Sequence, residues 1–263
     1  MELELRRQTV PSFETILEET VEQPVECDAL LPDYCPDIRR ILKCTLTPVP
    51  VGKTITAGRL EVEGLATLNI LYISAGGEPA RGEYKVPYTR MLELHGEAED
   101  PIITVGMLPG PVSCRAVNQR RVDVRGAFAL SIEAVAEAQG EVITALAGGG
   151  IQQRTTSLTG SKAVGSQEKL ITAEESIAFD APPEMVLSTQ CTGAVNEVKL
   201  VSGKAVLKGE IRAEVVYRTA PGHTLVHTTR QIPFNEILDV EGAAEDCQCF
   251  AVVQPTGCTI TGG

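Results

Sequence analysis

The chain has 263 residues, room for two domains of ordinary size that can each bury a core. Hydrophobic residues make up 43% of it but aromatics only 4%, with no Trp, so its cores must be assembled from Val, Ile, Leu and Ala, a composition that favours strands. A net charge of -12, from 23 basic and 35 acidic residues, repels phosphate backbones and anionic lipid surfaces, and nucleic acid is excluded as an expected partner.

Met1, Leu3 and Leu5 alternate with Glu2, Glu4 and Arg6, the period-two pattern of a half-buried strand. This start has no basic stretch followed by an apolar run, and no segment approaches the roughly 20 apolar residues of a membrane span, so synthesis in the cytoplasm without a signal peptide and no membrane span are expected. Phe13, Ile16, Leu17 and Val21 carry helical spacing behind Ser12 as a cap, although so short a run also fits a strand. Val25, Cys27, Ala29 and Leu31 alternate again and lead into Leu31-Pro32-Asp33-Tyr34-Cys35-Pro36-Asp37-Ile38. Pro36 suits the first turn of a helix, and Ile38, Ile41 and Leu42 then share one face, which predicts a short helical turn here. Asp33 is read as its cap and Asp37 as a charge favourable to its dipole, structural roles that leave no catalysis to assign.

A weaker copy of this stretch runs from Asp180 to Cys191: aligning Pro36 with Pro183 also matches Asp33 with Asp180, Asp37 with Glu184, Ile38 with Met185 and Cys44 with Cys191. Beyond it, Leu60, Val62, Ala66, Leu68, Ile70 and Tyr72 mark a strand, and Gly58, Gly64 and Tyr72 return 145 positions later as Gly203, Gly209 and Tyr217. Val86-Pro87-Tyr88 matches Ile232-Pro233-Phe234, and Gly96 with Glu99-Asp100 matches Gly242 with Glu245-Asp246. A repeat of roughly seventy residues points to duplication of a domain. Between the copies, Val122 to Ile132 alternates as a strand, Gln139-Gly140 offers a hairpin turn, and Gly148-Gly149-Gly150 with the Ser/Thr-rich run from Thr155 to Ser166 reads as a connection. The expected organisation is an N-terminal arm (1–20), a first β domain (21–150), a linker (151–168) and a second β domain (169–263). The fold expected is all-β: two tandem, related sandwich or barrel-like domains, each with a short helical turn.

The combination of Leu31-Pro32-Asp33, Cys35-Pro36-Asp37-Ile38 and Ile41-Leu42 with a following Gly-x-x-x-x-x-Gly strand that ends in Tyr72 resembles the SipL-type SPOCS domain family of endospore-forming bacteria. The resemblance covers most of the chain, without the C-terminal LysM module that often accompanies such domains. It implies tandem β-rich copies, a place in the spore envelope or at the spore surface, and spore coat or cortex morphogenesis proteins as partners.

Chemistry-bearing motifs are absent. Gly52-Lys53-Thr54 lacks the earlier glycine of a phosphate loop, since Thr47 stands in its place. His223 and His227, in an extended strand, are about 13 Å apart and out of reach of one metal, and His95 is isolated. No cofactor, metal site or catalytic residue is expected, and a non-enzymatic structural or adaptor protein is the function read from the chain. A soluble module that recognises a morphogenesis protein or a wall glycan is the alternative.

Eight cysteines admit three readings: small core residues, disulfides or a metal site. The matched positions of Cys44 and Cys191 favour buried packing, unpaired with each other, while Cys247, Cys249 and Cys258 form a candidate cross-linking group. The terminal strand that holds Met1, Leu3 and Leu5 is a candidate for self-assembly, either donated to another copy as a filament or layer grows or folded back on its own domain.

Overall fold

The computed structural model describes residues 4–96, 98, 100–147, 152, 154–157, 159–220 and 224–260. Among them are nine strands and no helix: β1 (Glu4–Leu30), β2 (Ile38–Thr56), β3 (Arg59–Ser74), β4 (Pro79–Glu93), β5 (Ile102–Ala116), β6 (Arg121–Ala147), β7 (Pro183–Val201), β8 (Lys204–Thr219) and β9 (Leu225–Asp239). They form three antiparallel sheets ordered β1-β6-β5, β2-β3-β4 and β7-β8-β9. Strict alternation builds the central strands: in β3, Leu60, Val62, Ala66, Leu68, Ile70 and Tyr72 are all at most 2% exposed, and the residues between them face out.

In the first repeat the β2-β3-β4 sheet lies over β1-β6-β5. Tyr88 of β4 and Phe128 of β6 meet edge to face with ring centres 4.9 Å apart. Two seams close the sandwich into a flattened barrel. Along β2 and β5, Lys53 Nζ donates to Ile103 O at 2.9 Å, and Tyr88 OH reaches Val49 O at 3.2 Å and Met107 Sδ at 3.3 Å. Along β1 and β4, Tyr84 OH donates to Leu30 O at 3.3 Å.

The helical turn expected at Pro36 to Leu42 is the start of β2 instead. Register shifts between Ile38 and Arg40 and between Ile41 and Lys43 each insert one extra residue, so Ile38, Ile41 and Cys44 all face the core at a spacing of three. That spacing imitates a helix. Leu42 is one of the extra residues and is 44% exposed. A similar shift between Thr15 and Leu17 buries both Ile16 and Leu17, so the stretch left open between helix and strand belongs to β1.

The second repeat reproduces the meander as β7-β8-β9, with shifts between Pro183 and Met185, Val186 and Ser188, and Val195 and Glu197. These three shifts match those of β2 at Ile38/Arg40, Ile41/Lys43 and Pro50/Gly52. The bond from Ala75 N–H to Asp37 O (2.7 Å) likewise returns as Ala220 N–H to Pro182 O (3.1 Å). The copies therefore correspond at the spacing of Gly58 and Gly203 throughout, Ile38 matches Pro183, and aligning Pro36 with Pro183 is a slip of two residues. A two-residue slip keeps every side chain on its own face, so alternation alone does not expose it.

Residues 4–15 pair with β6 of the same chain, with Leu5 opposite Leu146, so this strand folds back on its own sheet. Met1, Leu3, Gly148 to Gly150 and His223 lie outside the described residues. Arg218 of β8 is buried and bridges the repeats, donating to Glu78 at 2.8 Å and to Glu184 at 3.0 Å.

Candidate functional sites: the clamped motif and the open sheet

The stretch from Leu31 to Ile38 is a corner that crosses from one sheet to the other. Cys35 N–H closes a turn onto Pro32 O at 2.8 Å, and the ends are fixed by Leu31 N–H to Arg120 O (2.8 Å) and Ile38 N–H to Gln119 O (2.7 Å). Leu31, Cys35 and Ile38 are buried beneath it. Arg120, in the connection from β5 to β6, grips the corner from outside: Nη1 donates to Asp37 Oδ1 at 2.7 Å and Cys35 O at 3.3 Å, and Nη2 to Pro32 O at 3.0 Å and Leu31 O at 3.2 Å. Asp33 stands 3.9 Å from the same guanidinium. Asp33 and Asp37 thus face an arginine rather than a helix end. Tyr72 OH completes the corner by donating to Pro36 O at 3.0 Å, and burial pushes the Tyr72 phenol up to about 12. Nothing near the motif in sequence announces Arg120; the only local signal is Asn118, whose Oδ1 accepts Arg120 N–H at 2.8 Å in the tight turn.

The Arg120 guanidinium and the Tyr72 hydroxyl in this corner donate to four backbone carbonyls and to Asp37. Among the described residues no group of three His, Cys, Asp or Glu side chains is placed to hold a metal. His95 N–H bonds Ile16 O through the backbone, and His227 Nε2 lies 3.7 Å from Glu214.

The cysteines sort themselves differently from their order in the sequence. Cys44 and Cys191 are half-buried in different repeats, and each has another thiol close enough to shift its ionisation, Cys114 beside Cys44 and Cys258 beside Cys191. Cys247 is half-buried and Cys249 exposed.

A second site lies on the second repeat. Residues 168–179 run beside β9, with Lys169 Nζ 2.5 Å from Glu236, Glu175 4.0 Å from Arg230, and the Phe179 ring edge-on to Tyr217 at 4.7 Å. They stand where the end of β1 stands beside β4. Residues 251–260 run beside β7: Thr189 Oγ1 donates to Cys258 O at 3.5 Å, and a Cβ on Gly193 would fall 2.4 Å from Val253 Cγ1. They stand where β5 stands beside β2. In the first repeat β6 lies between these two flanks and pairs with both, and its Val122, Val124, Phe128, Leu130, Ile132 and Ala134 are at most 2% exposed. Among the described residues no strand takes that place in the second repeat.

Burial records the difference. Val62, Ala66, Tyr88 and Leu92 are buried in the first repeat, while Leu207, Ile211, Phe234 and Leu238 at the same positions of the second are only half-buried. The result is a slot floored by these apolar side chains and flanked by two extended segments that have no ladder partners among the described residues.

Fold and sites together define an all-β tandem-repeat protein whose first unit is a closed barrel and whose second repeats its three-stranded meander, with no strand among the described residues in the place that β6 takes in the first. The chain belongs to the SipL, SPOCS domain family, which matches it twice, at residues 37–116 and 182–261. The two matches start and end 145 positions apart, in the frame that the shared bulges set. Membership associates the chain with sporulation. No curated protein matches it, and no solved structure does.

Proposed function

We propose that this chain is a non-enzymatic structural and adaptor component of the spore envelope that assembles with copies of itself by β-strand exchange. The slot of the second repeat is the observation that carries this reading. A half-exposed apolar floor between two unpaired strand edges is a surface that folded proteins cover. The occupant is the N-terminal strand of another copy. Residues 4–13 and their partners 137–147 form a two-stranded ribbon without the third strand that β5 supplies further along β6, and such ribbons are marginal in water. Opening it releases about ten residues of alternating strand at low cost. Donation from one copy's first repeat to the next copy's second repeat is head to tail, so it propagates as a filament or layer unless rotation closes it into a ring. A net charge of -12 opposes the approach of copies, and salt therefore promotes it.

Deletion of residues 1–10 tests the reading. The full chain is expected to grow in mass with concentration and salt in sedimentation velocity, while the deletion variant keeps its strand signal by circular dichroism and stays monomeric. Polymerisation that survives the deletion, or a full chain that is monomeric at every concentration, contradicts the proposal.

A further inference from the structure

Four of the eight cysteines stand in the seams that join the first and last strands of each repeat. In the first repeat the seam is antiparallel: Lys53 meets Ile103 and Val49 meets Met107 through Tyr88, and the next step along it brings Cys44 to Cys114. Register fixes where both thiols point. Cys44 lies opposite Ile70 and Cys114 opposite Val124, both buried, so the two side chains face inward from opposite sheets and pack against the core. The seam of the second repeat runs the same way, with Gly193 against Val253, Thr189 against Cys258, and Cys191 between them on the inner face. In both places the second thiol, Cys114 for Cys44 and Cys258 for Cys191, is close enough to shift the ionisation of the first.

We propose that each repeat carries a disulfide-forming site that ties its first strand to its last extended segment, joining Cys44 to Cys114 and Cys191 to Cys258. Cys27 is the neighbour that could compete in the first repeat, but Cys27 and Cys114 flank Val124 from β1 and β5. Two strand spacings put their Cα atoms about 10 Å apart, beyond the roughly 7 Å that a disulfide spans.

The oxidant is a low-molecular-weight disulfide, for which glutathione disulfide is the probe. The Cys44 thiolate attacks one sulfur of the oxidant and displaces one glutathione thiolate. Cys114 then gives up its proton and attacks the Cys44 sulfur, releasing the second. Two protein S–H bonds become one S–S bond, and the oxidant leaves as two molecules of reduced glutathione. Either thiol of a pair can take either part with the same balance. Burial and the neighbouring Cys258 push the Cys191 thiol up to about 12.

The two bonds have different consequences. In the first repeat β5 is already held by its ladder to β6, so a bond adds to a closed structure. In the second, residues 251–260 have no ladder among the described residues, and the bond becomes their covalent tether. The site stands whether or not the slot accepts a strand.

Peptide mapping of the full chain tests this without relying on a variant that must fold. The protein is equilibrated with glutathione disulfide, its free thiols are alkylated, and it is cut with trypsin and then chymotrypsin, which cleaves at Phe250 and separates Cys258 from Cys249. The expected result is a Cys44 peptide joined to Cys114 and a Cys191 peptide joined to Cys258, with Cys27 and Cys35 alkylated. Recovery of Cys44 or Cys191 in alkylated form, or linked to any other cysteine, overturns the assignment. In Cys258→Ser the same mapping is expected to return Cys191 alkylated and the Cys44–Cys114 link intact. A Cys191 that still forms a disulfide in that variant also overturns it.

Discussion

The two repeats share a meander, three bulges, their hairpin glycines and a seam, and they differ by one strand. In the first, β6 fills the middle of the second sheet and Val62, Ala66, Tyr88 and Leu92 are buried; in the second no strand among the described residues takes that place, and Leu207, Ile211, Phe234 and Leu238 are half-buried. The comparison separates what makes this fold from what completes it. Alternation and bulges are enough to build a three-stranded sheet, but only a facing strand turns its apolar side into a core.

Substituting the floor of each repeat breaks or sharpens that comparison most strongly. Val62→Asp places an unpartnered charge in a closed core and is expected to cost several kcal/mol, enough to unfold the first repeat. Leu207→Asp, at the matching but half-exposed position, is expected to cost less than about 2 kcal/mol and to abolish assembly. Urea unfolding of both variants gives the two numbers, and equal losses would mean that the slot is not open.

Phe128→Ala removes the ring that β6 packs against Tyr88. A loss of about 3–5 kcal/mol is expected in urea, confined to the first repeat, where this ring packs on Tyr88.

The repeat glycines give a finer comparison. Gly64 lies in register with Tyr88 and Gly209 with Phe234, and a Cβ would meet Tyr88 Oη at 2.2 Å in one case and Phe234 Cζ at 2.4 Å in the other. In both a Cβ would also run into the neighbouring backbone, Val49 O at 2.3 Å and Ala194 O at 2.2 Å, so Gly64→Ala and Gly209→Ala are each expected to cost about 1–3 kcal/mol whatever room Phe234 has. Thermal unfolding of the pair checks whether the two losses are alike.

The smallest effect is alkaline. Burial pushes Tyr72, Tyr84 and Tyr88 each up to about 12 from an ordinary value of 10. The folded first repeat therefore binds more protons than its unfolded chain between these values, so its stability is intact below pH 10 and falls as pH rises toward 12. Melting curves over that window are expected to show the first repeat losing stability first.

Much of this architecture was legible in the sequence. Alternation in β3 and β8, the matched glycines and the Pro-aromatic pairs identify an all-β duplication, and they do so because a strand's side-chain period leaves a direct mark on composition. Two errors have separate causes. Bulges in β2 set Ile38, Ile41 and Cys44 at a spacing of three, which reads as a helix, whereas a two-residue slip in the alignment of the copies keeps every side chain on its own face and so leaves the alternation unchanged. Arg120 and the thiol pairs were not legible, since their partners lie 83 residues away at Asp37 and in another sheet at Cys44. Long-range seams follow from closure of the barrel, and no local pattern records which strand will face which.

Hydrogen exchange as a function of protein concentration tests the vacant strand most directly. At low concentration, amides of residues 168–179 and 251–260 are expected to exchange quickly while those of β6 between Val122 and Ala134 are protected, and raising the concentration is expected to protect both flanks together. Flanks already protected as strongly as β6 in the dilute monomer, or flanks that stay fast at every concentration, would contradict the account.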